Sequence, residues 1–209
     1  MARTPTSFNR QKPKLKPPPT VLVICEDTKS GKRYLEDASL HFRVKVQVEI
    51  IHCGHTDPKG IVKEAISRQK KFDQVFCAID RDTHQNFGDA LNLANTSEKI
   101  KIIVSYPCFE FWLLLHFGYR RKPYAAAGKY SSADLVIKDL LTHPCLKDYD
   151  KGKDQHIFNL MLENGFTEAR RIAPKVLNEA IASGEMNPST QLHELLDFFE
   201  TLSKPQFAK

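Results

Sequence analysis

The apolar positions of the first part of the chain follow two periods, and these predict alternating strands and helices. Continuous apolar runs indicate strands covered on both faces at 21–25, 75–79 and 100–105. At 44–51 an apolar side chain stands at every second position, which predicts a strand nearer an edge. Helical spacing predicts helices at 30–42, 56–71, 85–95 and 109–117. The second of these opens on Thr56-Asp57-Pro58, a capping side chain before a proline in the first turn.

Strands separated by helices of this length are joined by crossovers, so the sheet is expected to be parallel. After Tyr119 the pattern is purely helical, with predicted helices near 131–141, 154–163, 166–183 and 189–203 and no further strand. We therefore predict an α/β fold. A Rossmann-like, mostly parallel sheet flanked by helices spans 20–118, and a C-terminal all-α elaboration spans 119–209.

Residues 1–19 form a separate segment that cannot build a core. They contain Arg3, Arg10, Lys12, Lys14 and Lys16, no acid, and three consecutive prolines at 17–19. We expect a basic, Pro-rich, disordered arm. Such an arm suits a phosphate backbone, and it is equally well explained as a solvated tail. The whole chain has a net charge of +6.

The composition of the chain bears on its expected cellular location. No apolar stretch approaches the roughly 20 residues that a membrane helix needs, and residues 1–20 lack the apolar centre of a secretory signal. The five cysteines are odd in number, widely spaced and free of CxxC pairs. This usage favours the reducing cytoplasm over a disulfide framework.

The loop after the first strand invites comparison with a phosphate-binding loop, because Gly31-Lys32 follows a buried strand. The pattern GxxxxGK[ST] requires a glycine where this chain has Glu26, and a hydroxyl residue where it has Arg33. A carboxylate in the first position would repel the phosphates. The pattern therefore argues against nucleotide hydrolysis by this chain.

Acidic residues instead mark the ends of two predicted strands. Glu26 follows the first strand, and Asp80 and Asp82 follow the third, with Arg81 pointing the other way because side chains alternate. Ligands of open parallel sheets bind at this carboxyl edge. Clustered carboxylates need a cation, and oxygen ligands favour Mg²⁺ or Mn²⁺. Phosphodiester cleavage is the chemistry that such a site suggests.

Further candidates lie around these acids. Glu110 opens the apolar helix after the fourth strand, where it is either a fourth ligand or a carboxylate that complements the helix dipole. Candidate substrate contacts are Lys29, Lys32, Arg33, Arg81 and His84. Each has an ordinary alternative as a solvated or incidental side chain. Lys151, Lys153, Arg120 and Arg121 would extend a basic groove, or are simply surface charges.

Four stretches together resemble the Toprim fold and, more narrowly, the RloB family, also met as the second component of the AbiL phage-defence system. They are VLVICEDTKSGKRYLE at 21–36, AIDRDTH at 78–84, SYPCFEFWLLLHF at 105–117 and NPSTQLHELL at 187–196. The third is the most specific to the family, whereas the DxD occurs throughout Toprim proteins. The resemblance leads us to expect an asparagine where this chain has Tyr106.

The resemblance implies a Toprim nuclease of bacterial antiviral defence, with an ATPase partner that restrains or activates it. It assigns general acid or base work to Glu26 and metal ligation to Asp80 and Asp82, with Glu110 as a further ligand or orienting residue. Asn187, Ser189 and His193 become weaker candidates for the site, although residues 187–190 are well explained as a helix cap.

Two functions stay open at the level of sequence. The first is a metal-dependent nuclease that cuts DNA or RNA, with tRNA among the candidate substrates. The second is a non-catalytic subunit that binds nucleic acid or the ATPase partner. A homodimer is the base-rate expectation for the assembly.

Overall fold

The structure is a computed structural model that describes residues 17–81, 84, 86–153 and 156–205. The strands in these ranges are β1 (Val21–Cys25), β2 (Val48–Ile51), β3 (Gln74–Asp80), β4 (Ile100–Tyr106) and β5 (Ser189–Thr190). The helices are α1 (Ser30–His41), α2 (Pro58–Arg68), α3 (Phe87–Ala94), α4 (Glu110–Leu114), α5 (Ser132–Leu140), α6 (Ile157–Glu163), α7 (Phe166–Ser183) and α8 (Leu192–Leu202). Short 3₁₀ turns extend α2 and α4.

The five strands form one sheet in the order β2-β1-β3-β4-β5. The first four strands are parallel, and β5 runs antiparallel to β4. The predicted α/β class, with a mostly parallel sheet flanked by helices, is therefore confirmed. Parallel strands end at a common edge, so the residues that follow β1, β3 and β4 lie at the same side of the molecule.

Apolar side chains cover both faces of the sheet, which explains the continuous apolar runs. Successive residues of β1 divide between two cores: Val21 and Val23 join the larger one, and Leu22 and Ile24 the smaller one. The larger core also contains buried residues of α1, α4, α6, α7 and α8, and the smaller one is closed by α2 and α3. All of these β1 side chains have zero exposed surface.

Helix α2 begins as its sequence predicts. The Asp57 carboxylate accepts a 2.8 Å hydrogen bond from the main-chain N–H of Gly60, and Pro58 occupies the first turn. This arrangement satisfies an amide that has no partner within the helix, while proline loses nothing at a position whose N–H would be unpaired.

The structure corrects three predictions. The strand over 44–51 is confined to Val48–Ile51, because Arg43 adopts a left-handed φ of 59° and the chain turns through 44–47, leaving Val46 96% exposed. The C-terminal part is not purely helical, since β5 returns to the sheet. Residues 187–190 are not the cap of a helix, because Ser189 and Thr190 pair with β4 and the following helix begins at Leu192. Within the described ranges, no helix combines the length and apolar character needed to cross a membrane.

Candidate active site

Strand pairing brings Glu26 and Asp80 together. The strands β1 and β3 are neighbours, with Cys25 aligned to Ala78, so the residues that follow meet at one edge. The main-chain N–H of Asp80 donates a 2.9 Å hydrogen bond to Oε2 of Glu26. Both side chains are largely covered, with 17% of Glu26 and 19% of Asp80 exposed. The two acids predicted from separate strand ends therefore share one site.

Glu110 adds a third carboxylate to this site. It is the first residue of α4, directly after β4, and its side chain is completely buried. The hydroxyl of Tyr149 donates a 2.9 Å hydrogen bond to Oε1 of Glu110. The other oxygen, Oε2, makes no hydrogen bond within the described part of the chain, and it faces the Lys151 Nζ at 3.5 Å.

The Lys151 ammonium group stands between two of the acids. Its Nζ lies 3.5 Å from Oε2 of Glu110 and 3.7 Å from Oδ2 of Asp80. Glu26, Asp80, Glu110 and Lys151 are called the acidic cluster below. Lys151 thus lies beside two of the three acids of the cluster, and these acids outnumber it.

Burial changes the proton affinity of the cluster. It raises the pKa of Glu26 above the ordinary value, although the Asp80 amide and His84 act in the opposite direction. Burial also raises the pKa of Asp80, well above the ordinary value, while the charge of Lys151 acts in the opposite direction. Burial alone would lower the pKa of Lys151, but the carboxylates of Glu110 and Asp80 raise it. Glu26 and Asp80 therefore ionise reluctantly, and they lie near a firmly charged lysine.

The cluster offers the ligand types that Mg²⁺ or Mn²⁺ uses. A cavity of about 30 Å³ adjoins Glu26, Asp80 and Ser105, which is enough room for a water molecule. The buried Oε2 of Glu110, which faces Lys151 but accepts no hydrogen bond from the described residues, is a further oxygen suited to a hard cation. Among the residues that the structure describes, however, no group of three or more His, Cys, Asp and Glu is close enough to hold a metal ion by itself. Asp82, predicted as a ligand, lies outside the described residues.

Main-chain amides at the start of α1 donate hydrogen bonds to the side chain of Asp27, in the loop after β1. The carboxylate of Asp27 accepts hydrogen bonds from the main-chain N–H groups of Lys29, Gly31 and Lys32, at 3.0, 2.9 and 3.3 Å. A Cβ atom on Gly31 would lie 3.2 Å from Oδ2 of Asp27, so glycine permits the close approach. Because an internal carboxylate already occupies the helix start, the structure agrees with the absence of a nucleotide phosphate loop.

The cations of this loop point in different directions. Lys29 donates a 2.6 Å hydrogen bond from its Nζ to the main-chain carbonyl of Gly152, beside Lys151. Lys32 forms an ion pair with Glu36 one turn further along α1. Arg33 lines a separate groove beside β2. Of the three predicted substrate contacts, the structure therefore brings only Lys29 to the loop that carries Lys151.

One residue shortly after β3, His84, lies beside Glu26. The Nε2 atom of His84 lies 3.3 Å from Oε1 of Glu26, which places this predicted residue at the cluster. Arg81 turns away, as alternation predicts: its guanidinium lies 4.7 Å from the ring centroid of Phe87 and donates to the His84 carbonyl. Arg81 therefore helps to hold the main chain at His84 in place.

The three weaker candidates lie in the scaffold. Asn187 donates a 2.8 Å hydrogen bond to the main-chain carbonyl of Tyr124, and the Ser189 hydroxyl donates to the carbonyl of Met186. His193 is buried in the first turn of α8, and burial lowers its pKa. The structure does not place these residues in contact with the acidic cluster.

Two members of the site are invisible to sequence patterns. Tyr149 and Lys151 come from the irregular segment before α6, and no motif links them to the strand ends. Lys151 is named above only as a scattered basic residue. Asp27 carried a local signal, since an acid shortly before a helix is a common source of capping hydrogen bonds.

Comparison with known proteins identifies the family of this chain. A sequence model described as RloB-like protein matches residues 21–199. The chain belongs to the RloB-like family. The match contains every residue of the acidic cluster, so the cluster is part of the RloB-like region and not of an added segment. Neither the curated proteins nor the solved structures gave a match.

Proposed function

We propose that this RloB-like chain is a metal-dependent nuclease that cleaves phosphodiester bonds of DNA or RNA. The observation that carries the proposal is the convergence of Glu26, Asp80 and Glu110 at the carboxyl edge of the sheet. These acids come from three separate strand ends, and two of them are held by specific hydrogen bonds. A folded chain keeps such a cluster of buried acids at a cost in stability, which is typical of functional sites.

The residues that would hold Mg²⁺ or Mn²⁺ are Asp80 and Glu110, with Glu26 and Asp82 as further ligands. When bound, the ion supplies charge stabilisation for a phosphate and its leaving oxygen. Glu26 is suited to proton transfer, because burial raises its pKa above the ordinary value and its Oε1 faces His84. Lys151 brings a firmly held positive charge that would attract a phosphate oxygen.

The biological setting is proposed from family resemblance. Such proteins resemble Toprim nucleases of bacterial antiviral defence, and we propose the same role here, in the cytoplasm and under the control of an ATPase partner. All five cysteines are free, as a reducing compartment requires. A homodimer is the simplest assembly to test alongside.

A cleavage assay tests the proposal. Plasmid DNA, single-stranded DNA and tRNA are incubated with wild type and Asp80→Asn in Mg²⁺, in Mn²⁺ and in EDTA. We expect metal-dependent cleavage that Asp80→Asn abolishes. The matched control is Asp73→Asn, which makes the same charge change at the opposite end of β3 and should cleave like wild type. Equal activity of Asp80→Asn and wild type would contradict the assignment.

A second function has an observation in its favour. Lys151 already neutralises part of the cluster, and the described residues contain no complete set of metal ligands. A non-catalytic subunit that binds nucleic acid or the ATPase partner would need no ion. Calorimetric titration with Mn²⁺ separates the two functions: absence of binding, together with full phage protection by Glu26→Gln, would favour the subunit.

A further inference from the structure

A second surface of the molecule is rich in positive charge and aromatic rings. Residues 119–130, YRRKPYAAAGKY, contain four cations and three tyrosines and no Asp or Glu. This stretch, called the basic–aromatic segment below, follows the 3₁₀ turn after α4 and precedes α5. Its first and last tyrosines are 46% and 42% exposed.

The segment forms one wall of a cleft of about 870 Å³, and α5 forms the other. Four cations line this cleft (Arg120, Arg121, Lys122 and Lys138), against a single acid, Asp139. That acid is already engaged, since it accepts a 2.7 Å hydrogen bond from the Tyr124 hydroxyl and pairs with Arg120 at 3.3 Å. The cleft is therefore strongly positive, and its volume suits one or a few nucleotides.

The scaffold residues described above hold this wall in place. Arg121 donates a 2.8 Å hydrogen bond to the main-chain carbonyl of Pro188, and Asn187 bonds to both main-chain groups of Tyr124. Ser189, which follows Pro188, pairs with Tyr106 at the end of β4. The cleft is thus anchored to the same sheet edge that carries the acidic cluster.

We propose that this cleft binds single-stranded nucleic acid. Lys122 and Lys138 would contact phosphates. The two arginines are engaged within the protein, because Arg120 pairs with Asp139 and Arg121 is hydrogen-bonded within the wall.

The Tyr119 hydroxyl donates to the Glu179 carboxylate, and Lys175 lies 5.0 Å from the centroid of the Tyr119 ring. The ring of Tyr119, held in this way, would stack on an unpaired base. Every base offers a π face, and a single strand presents its bases and its phosphates to the same surface. The bases of a duplex are enclosed by stacking and pairing and cannot reach a tyrosine in a cleft. The proposal takes from the proposed function that the substrate is nucleic acid, and it specifies the single-stranded form.

Binding in EDTA tests the cleft separately from catalysis. Fluorescence anisotropy of labelled DNA and RNA strands of about 12 nucleotides, and of the matching duplexes, is measured with the full chain. We expect Lys122→Ala/Lys138→Ala to weaken single-strand binding about tenfold and to reduce the log–log salt slope by about 1.4, because two phosphate contacts are lost. The control Lys70→Ala/Lys71→Ala removes the same charge from an exposed turn before β3 and should change binding little.

Variants of Tyr119 distinguish base stacking from general electrostatic attraction. We expect Tyr119→Ala to weaken single-strand binding about fivefold and to leave duplex binding unchanged. Tyr119→Phe keeps the ring but removes the hydrogen bond to Glu179, so it should lose less affinity than Tyr119→Ala. Equal losses in the two double-lysine variants would overturn the cleft as the binding site. The proposed ligand would be wrong if the wild type bound duplex as tightly as single strand, or if it bound only an acidic polypeptide. Because EDTA removes metal ions, these binding results do not depend on whether Asp80→Asn abolishes cleavage.

Discussion

The ammonium group of Lys29 donates a 2.6 Å hydrogen bond to the main-chain carbonyl of Gly152. This bond joins the loop after β1, which carries Glu26, to the loop that carries Lys151. Lys29 therefore ties together two segments that each bring a charged side chain to the acidic cluster, in addition to any contact with phosphate.

Lys29→Met should loosen the loop that presents Lys151. We expect hydrogen exchange at the Gly152 and Lys153 amides to accelerate several-fold, because a hydrogen bond from a charged donor contributes about 1.5–3 kcal/mol and less at an exposed site. Exchange in α7 should not change. The control is Lys32→Met, whose partner is Glu36 on the same helix. Identical exchange in both variants would show that Lys29 does not restrain the loop.

Lys151→Met should tighten the binding of Mn²⁺. The ammonium group repels any cation near Asp80 and Glu110, and two unit charges about 4 Å apart interact by about 4 kcal/mol at an effective dielectric constant of 20. Lys151 is 40% exposed, so solvent screening reduces this repulsion, and we expect about tenfold tighter binding by calorimetry. Lys153→Met, two residues along the loop and 69% exposed, is the control. Weaker binding by Lys151→Met would show that the lysine organises the site instead of competing with the ion.

Asp80→Asn should stabilise the chain in EDTA. A carboxyl group whose pKa is higher in the folded than in the unfolded chain binds more protons when folded, so the free energy of unfolding falls as pH rises through that interval. The pKa of Asp80 is raised well above 3.8, chiefly by burial. At pH 8 the variant should be about 1 kcal/mol more stable, or about 2–4 °C in melting temperature.

The pH dependence of this gain is the critical measurement. The advantage of Asp80→Asn over wild type should shrink as pH falls towards 4, where the folded wild type carries a protonated Asp80. Asp73→Asn should show no gain in stability at pH 8, because the amide and hydroxyl of Thr20 lower the pKa of Asp73. A carboxyl group with a lowered pKa gives a pH trend of the opposite sign. A pH-independent difference for Asp80→Asn would contradict the assigned pKa direction.

Tyr149→Phe should destabilise the chain. The hydroxyl is the hydrogen-bond donor to Oε1 of the fully buried Glu110, and an unpaired buried polar group costs about 1–3 kcal/mol. Denaturant unfolding in EDTA measures the loss. Tyr124→Phe removes a hydroxyl that bonds the less buried Asp139, so its loss should be smaller. The reverse order would mean that Glu110 is satisfied in some other way.

Elements that depend on local patterns were predictable from the sequence. The buried strands β1, β3 and β4 are apolar runs, and Asp57 with Pro58 marks the start of α2. Strand β2 was predicted to begin at residue 44, but it begins at Val48. Val44 and Val46 continue the alternation of apolar side chains, although the chain turns there. Strand β5 was missed, since two residues carry no periodicity and only their pairing with β4 makes them a strand.

The sequence by itself determined the carboxyl edge of a parallel sheet and put Glu26, Asp80 and Glu110 at three strand ends, because strand direction and side-chain alternation are local properties. Only the tertiary structure decided which cation faces them and which donor holds Glu110. Lys151 and Tyr149 reach the cluster from a segment without regular structure, and such contacts depend on how the helical part packs against the sheet. Long-range packing leaves no spacing in the sequence from which the contacts of a single lysine can be inferred.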